Sequence, residues 1–275
     1  MLMKTSTQTR LIQLDSVGIN LGASYFGSFT LQVAPGERIA ILGPSGAGKS
    51  TLLKLMSREW KPATGQVLFN GKTLSSWSLP DLSRHRAILP QASDVAFGLQ
   101  TDLVIGLGRV ARIHDPKLMD IVEASASLAH AAHLLGQRFD TLSGGEQARI
   151  QLARVFAQLW DAHDGLILVD EPLAALDPGL QFDLLDSMDA YATARNHALV
   201  AILHDINQAM LGFDRLLLVK DGKLVADLPC TREAVPALES LYGISLSCVT
   251  DRQGSLVITP LRTSARRRAI DGAMA

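Results

Sequence analysis

Residues 43–50 read Gly43-Pro44-Ser45-Gly46-Ala47-Gly48-Lys49-Ser50, with Thr51 next. This fits the G-x-x-x-x-G-K-[ST] pattern of a phosphate-binding loop. The glycines let the backbone wrap an anion so that its N–H groups point at phosphate oxygens. A helix starting at Lys49 adds its positive end to the same anion. Lys49 is expected to reach the β- and γ-phosphates of a nucleotide. The Ser50 hydroxyl is expected to ligate Mg²⁺. Such a loop predicts nucleotide binding, but it does not choose among kinases, GTPases and transport ATPases.

Two more groups of residues could work on phosphate. The apolar run Leu166-Ile167-Leu168-Val169 leads into Asp170-Glu171. Acids at the carboxyl end of a buried strand face the crevice where phosphates bind in α/β folds. Asp170 is expected to hold Mg²⁺ through water, and Glu171 to take a proton from the water that attacks the γ-phosphate. The second group is Leu142-Ser143-Gly144-Gly145-Glu146-Gln147, which opens a helix. A hydroxyl, two glycines and a helix N-terminus make a second anion site.

The elements that must position these groups follow from the apolar spacing. Short alternating segments at 11–14 and 29–33 predict strands, and the turn Pro35-Gly36-Glu37 leads into a buried strand at 38–42. A helix is predicted from Lys49 to about Met56, and strand and turn chemistry over 64–75, where Asn70-Gly71 marks a tight turn. Residues 101–160 read mostly as helices, broken at Asp115-Pro116 and Ser143-Gly144-Gly145. Strands at 166–170, 198–203 and 215–219 then alternate with helices at 179–194 and 206–212. Such alternation predicts a mostly parallel sheet with helices on its faces. A hairpin over Leu216–Leu228, around Asp221-Gly222, is expected to close the fold, and the tail after 262 to fray.

Composition bounds the partners. The 275 residues carry 26 basic and 27 acidic side chains, a formal net charge of -1, so charge gives no case for nucleic acid as a partner. Cys230 and Cys248 lack the spacing of a metal or disulfide framework and read as thiols in a reducing compartment. His130 and His133 have helical spacing but no further ligand nearby, so they are read as non-metal. No stretch reaches the ~20 apolar residues that cross a bilayer, and the N-terminus lacks the apolar core of a signal peptide. Any membrane role is therefore expected to come through a partner.

With Leu142–Gln147 as its signature motif, the chain resembles the ATP-binding cassette (ABC) transporter ATPases, over roughly residues 11–250. Other segments carry the same resemblance in the same order. Leu89-Pro90-Gln91 is similar to the Q-loop, whose Gln91 would touch Mg²⁺ and the attacking water. Leu176-Asp177-Pro178 is similar to the D-loop at a dimer seam, and Leu203-His204-Asp205 to the switch histidine at the γ-phosphate. The resemblance implies an α/β P-loop fold with a mixed-sheet core, an antiparallel β subdomain and a helical subdomain carrying the signature. It implies a cassette over 8–250, with the helical subdomain inserted at approximately 92–162, and a C-terminal strand and tail over 251–275.

It also implies ATP and Mg²⁺ as ligands and a head-to-tail homodimer, in which the signature of one copy completes the ATP site of the other. A dimer of membrane permease subunits and, indirectly, a periplasmic binding protein are the implied partners, at the cytoplasmic face of a bacterial inner membrane. Trp77–Gln91, Val104–Arg109, Leu142–Leu159 and Leu241–Ile244 are similar to importers of haem, cobalamin and iron–siderophore complexes, and most of all to haem importers. An exporter cassette shares the core motifs. The chain departs from the family in two places. Where an aromatic residue usually stacks on adenine it reads Val17-Gly18-Ile19-Asn20-Leu21-Gly22, with Tyr25 and Phe26 a few residues later. The segment Leu173-Ala174-Ala175 lacks the usual hydroxyl before Leu176-Asp177.

Overall fold

A computed structural model describes residues 10–90, 98–112, 114–171, 177–252 and 254–261. In chain order, β1 (Ile12–Leu21) and β2 (Ser24–Val33) form a hairpin, followed by β3 (Arg38–Leu42) and α1 (Lys49–Ser57). Then come β4 (Thr64–Phe69), β5 (Lys72–Thr73), α2 (Leu79–Ser83) and β6 (Arg86–Leu89). Three helices follow, α3 (Thr101–Gly106), α4 (Leu118–Leu128) and α5 (Gly144–Gln158). The second half runs β7 (Leu166–Asp170), α6 (Pro178–Ala194), β8 (Ala198–Ile202), α7 (Ile206–Gly212), β9 (Arg215–Lys220) and β10 (Lys223–Pro229). It ends with α8 (Val235–Tyr242), β11 (Leu246–Thr250) and β12 (Leu256–Pro260).

The main sheet has the order β10-β9-β3-β8-β7-β6. Strands β9, β3, β8, β7 and β6 pair in parallel, and β10 adds an antiparallel edge. The strands β3, β7 and β8 are buried along almost their whole length, as a sheet covered on both faces demands. Alternation along β3 divides the core. Ala40 and Leu42 pack into the cluster that includes residues of α4, α5, α6 and α7. Ile39 and Ile41 face the opposite cluster, with α1 and the strands β1, β2 and β4. Those three and β5 form a separate antiparallel sheet in the order β2-β1-β4-β5.

The helix α5 packs on α3 and α4 and also covers the sheet edge. Arg154 donates to the Ile88 carbonyl at 2.9 Å, and the Gln158 amide donates to the carbonyls of Ser83 and Arg86. The free carbonyls of the edge strand β6 are thereby satisfied by side chains.

Two findings differ from the sequence expectation. The strands read at 11–14 and 29–33 are the outer ends of one long hairpin. Register shifts between Leu14 and Val17 and between Val17 and Ile19 break the two-residue period that would have revealed the middle. The hairpin Leu216–Leu228 does not close the fold, because α8 and the antiparallel pair β11–β12 follow it. In that pair only Leu246 and Ile258 are buried, so its apolar alternation is faint in the sequence.

One core residue makes stability pH-dependent. His197, 1% exposed, accepts the Gly165 N–H on Nδ1 at 2.8 Å, and its Nε2 is buried without a partner. Burial, then the charge of Arg195, push its pKa down to about 4. The unfolded chain therefore binds the proton more tightly, and the stabilisation is complete above about pH 6.5 and lost as pH falls toward 4. His197→Asn keeps an acceptor for Gly165 but removes the titration. Between pH 7 and pH 4.5 the wild type is expected to lose on the order of 2 kcal/mol more unfolding free energy than this variant, measured by denaturant titration. Equal losses would show that His197 does not carry the effect.

Candidate functional site

Three neighbouring parallel strands, β3, β8 and β7, end on the same edge of the sheet, and the chemistry-bearing residues lie just beyond those ends. Beyond β3 the chain enters the loop 43–48 and then α1, which opens at Gly48 with φ 100°. Gly46 also has positive φ, at 75°. At Gly43 the requirement is space, since a Cβ there would lie 2.1 Å from the Val219 carbonyl oxygen. Ala47 is buried, whereas Ser45 and Gly46 are exposed at the mouth of the loop. Thr51 is buried in the first turn of α1.

Lys49, 5% exposed, folds back over this loop. Its ammonium donates to the carbonyls of Gly43 at 2.9 Å and Pro44 at 3.2 Å, and lies 3.9 Å from Glu171 Oε1. The Ser50 hydroxyl donates to Asp170 Oδ1 at 3.1 Å, joining the start of α1 to the end of β7. Burial lifts the Asp170 carboxyl above its usual range, against the Ser50 hydrogen bond, which lowers it. Glu171 directly follows β7, in the left-handed region at φ 47°, a conformation uncommon for a non-glycine residue. Its Oε2 lies 2.7 Å from Nε2 of His204, which follows β8. Lys49, Glu171 and His204, far apart in the chain, thus form one contiguous set.

Two flanking features were not read from the sequence. The tight turn between β9 and β10 reaches the loop, where the Gly222 N–H donates to the Ala47 carbonyl at 2.9 Å. Gly27 in turn donates to the Gly222 carbonyl at 2.7 Å, which carries β2 to the loop. A Cβ on Gly48 would lie 2.8 Å from the Phe26 ring, so that ring packs directly on the loop. Tyr25 occupies the space above Gly18, where a Cβ would fall 2.0 Å from its hydroxyl oxygen, and that hydroxyl pairs with Thr64. The position at which an aromatic side chain was missed on β1 is thus covered by a ring from β2. The spacing from the loop could not reveal this, because it is a cross-strand relation.

The residues expected to form a second anion site lie elsewhere in the fold, at the start of α5. Ser143 is its N-cap and forms a reciprocal capping box with Glu146. The Ser143 N–H and hydroxyl both donate to Glu146 Oε2, at 2.8 and 2.7 Å, and hold its carboxyl below the usual range. Gly144 has open space around it, and Leu142 is buried as the hinge into the helix. Gly145 and Gln147 continue the first turn, with the Gln147 amide donating to the carbonyls of Phe139 and Leu142. Asp177 caps α6, its Oδ1 accepting the Leu180 N–H at 3.0 Å. Gln91 and the segment 172–176 lie outside the described residues.

A family model described as "ABC transporter" matches residues 26–174. Among curated relatives, the hemin import ATP-binding protein HmuV of Methylobacillus flagellatus is 40% identical over 222 residues, 78% of this chain and 82% of that protein. The protein of the same name from Gloeobacter violaceus is 36% identical over 267 residues, covering 93% and 96% of the two chains. Among solved structures, an ABC transporter in an inward-facing conformation superposes with a TM-score of 0.76 at 22% identity, over 92% of this chain and 98% of that one. A dimeric ATP-binding cassette in a post-hydrolysis state with ADP and Pi superposes with a TM-score of 0.71 at 22% identity, over 80% and 99%. At these identities the two structures speak for the fold.

Proposed function

Because the chain belongs to the ABC transporter family and is one of its ATP-hydrolysing subunits, we propose that it powers the import of haem through a pair of membrane permease subunits. Two copies would close head to tail on two ATP molecules, each signature Ser143-Gly144-Gly145 facing the γ-phosphate held by the partner copy. The observation that carries the ATPase reading is the meeting of Lys49, Asp170, Glu171 and His204 beyond adjacent strand ends. The haem reading is supported by relatives that share 34–42% identity over most of the chain and are named hemin import ATP-binding proteins.

Each side chain has a distinct task in this reading. Lys49 exchanges its bonds to the Gly43 and Pro44 carbonyls for the β- and γ-phosphates, which face the same buried ammonium. The loop N–H groups and the start of α1 complete the phosphate cradle. Glu171 accepts the proton of the attacking water, and His204, bonded to it, fixes its orientation and meets the γ-phosphate. Ser50 and Asp170 place two hard oxygen donors together, a set that suits Mg²⁺, with Gln91 as a third ligand from the family resemblance. There the ion would neutralise charge on the phosphate oxygens. The Tyr25 and Phe26 rings provide the aromatic surface on the side of the cradle where the base would lie.

No helix among the described residues is long and apolar enough to cross a membrane, and the importer reading places the chain at the cytoplasmic face of the inner membrane, held there by its permease. A permease surface is supported by Leu103, Leu107 and Val110. These exposed residues recur at i, i+4 and i+7 along α3 and the turn after it. Such spacing aligns them on one face.

The test is reconstitution with the cognate permease in lipid. Haem-loaded periplasmic binding protein is expected to stimulate ATP hydrolysis, whereas the same protein carrying no haem stimulates it far less. Hydrolysis that ignores haem but responds to a cobalamin- or siderophore-loaded binding protein would leave the ATPase standing and move the cargo to that class.

A further inference from the structure

The matched family segment ends at residue 174, and the chain after position 244 reaches the helix that follows His204. The side-chain amide of Asn207, in the first turn of α7, pairs with the backbone of Ile258 in β12. Its Nδ2 donates to the Ile258 carbonyl at 3.1 Å, and its Oδ1 accepts the Ile258 N–H at 2.8 Å. One amide thus replaces a strand partner and satisfies both backbone groups of an edge residue. The hairpin that presents Ile258 is closed by the β11–β12 pairs and by Leu261 N–H to the Ser245 carbonyl. Ile258 and Leu246 are buried in the same cluster as Ala209 and Met210 of α7.

Helix α7 is short and bound on three sides. Asp205, its N-cap, accepts the N–H groups of Asn207 and Gln208. The Gln208 amide donates to Gln181 of α6 at 2.7 Å, one turn along from the Asp177 cap. His204 stands between the end of β8, where Leu203 bonds to Ile41, and this capped helix. Its side chain is 54% exposed, so few packing contacts hold the ring. The placement of the backbone on either side must therefore aim it at Glu171.

We propose that Asn207 is a positioning residue for ATP hydrolysis, through which the C-terminal hairpin braces α7 and holds His204 on Glu171. This inference rests on the role given above to His204. The loss of two hydrogen bonds frees the N-terminal turn of α7 without touching the phosphate cradle. The brace therefore affects turnover more than nucleotide affinity, since Lys49 and the loop 43–48 stay in place.

The experiment uses the full-length protein with ATP and Mg²⁺. Asn207→Ala is expected to lower kcat about tenfold, with KM for ATP changed less than about twofold. With labelled histidine, the His204 ring-nitrogen signal, assigned by its absence in His204→Gln, is expected to shift or broaden in Asn207→Ala. Asn207→Asp keeps the acceptor for the Ile258 N–H but sets a carboxylate oxygen against the Ile258 carbonyl, so it should also lower kcat and serves if the alanine variant does not fold. In a His204→Ala background, Asn207→Ala should cost nothing more. An unchanged kcat and an unmoved His204 signal in folded Asn207→Ala or Asn207→Asp would overturn the proposal, as would equal losses in kcat and ATP affinity. If His204→Ala alone keeps full turnover, the role of His204 fails, and that failure is separate from the brace.

Discussion

Glu171→Gln is expected to cut ATP turnover by about 10²–10⁴-fold while ATP still binds. Three features of the site point to this size and direction. The carboxylate is largely buried at the end of β7, with Oε1 toward the Lys49 ammonium and Oε2 on His204. In the proposed ATPase it would act on a water at the γ-phosphate, while the groups proposed to hold phosphate, the loop 43–48 and Lys49, belong to a different strand end. Glutamine preserves the shape and one oxygen but cannot accept the proton. The loss therefore belongs to the chemical step, and kcat should fall with little change in ATP affinity. Steady-state hydrolysis and equilibrium binding of ATP measure the two quantities separately. A variant that keeps wild-type turnover would remove Glu171 from the role of base.

The phosphate loop and the strand–acid junction were legible in the sequence because each is local. In 43–51 the glycines, the lysine and the following helix are contiguous, and Leu166–Glu171 shows a buried strand and its acids in a single run. The 2.7 Å approach of His204 to Glu171 is of another kind, because β7 and β8 become neighbours only through the crossover α6. For that the resemblance supplied an order of motifs, not a distance. Cross-strand relations stayed hidden altogether. Tyr25 above Gly18 and Phe26 on Gly48 depend on a hairpin whose register shifts erase the two-residue period. The Gly222 bond to Ala47 depends on two turns meeting from opposite ends of the chain. A C-terminal strand was expected over 251–275, but its partner β11 was not, because the burial of the pair rests on two side chains.

The separation of the two anion sites leads to an expected result with an all-or-none character. Lys49 folds back over the loop 43–48, whereas Ser143 caps α5 in the helical part of the chain. If each signature serves the cradle of the other copy, Lys49→Ala and Ser143→Arg damage opposite halves of one composite site. Each variant alone places a defect in both sites of its homodimer. In a mixed dimer both defects fall into one site, and the other keeps an intact Lys49 and an intact Ser143. Counting ATP trapped in a Glu171→Gln background avoids any need for both sites to turn over together. Each variant alone should trap almost none, because the lysine contributes charge-assisted bonds and a bulky arginine replaces the small Ser143 cap at the start of α5. A 1:1 mixture should trap about a quarter of what Glu171→Gln traps alone, since random pairing makes half the dimers mixed and each offers one site of two. A mixture no better than its components would mean that the signature acts on the cradle of its own chain.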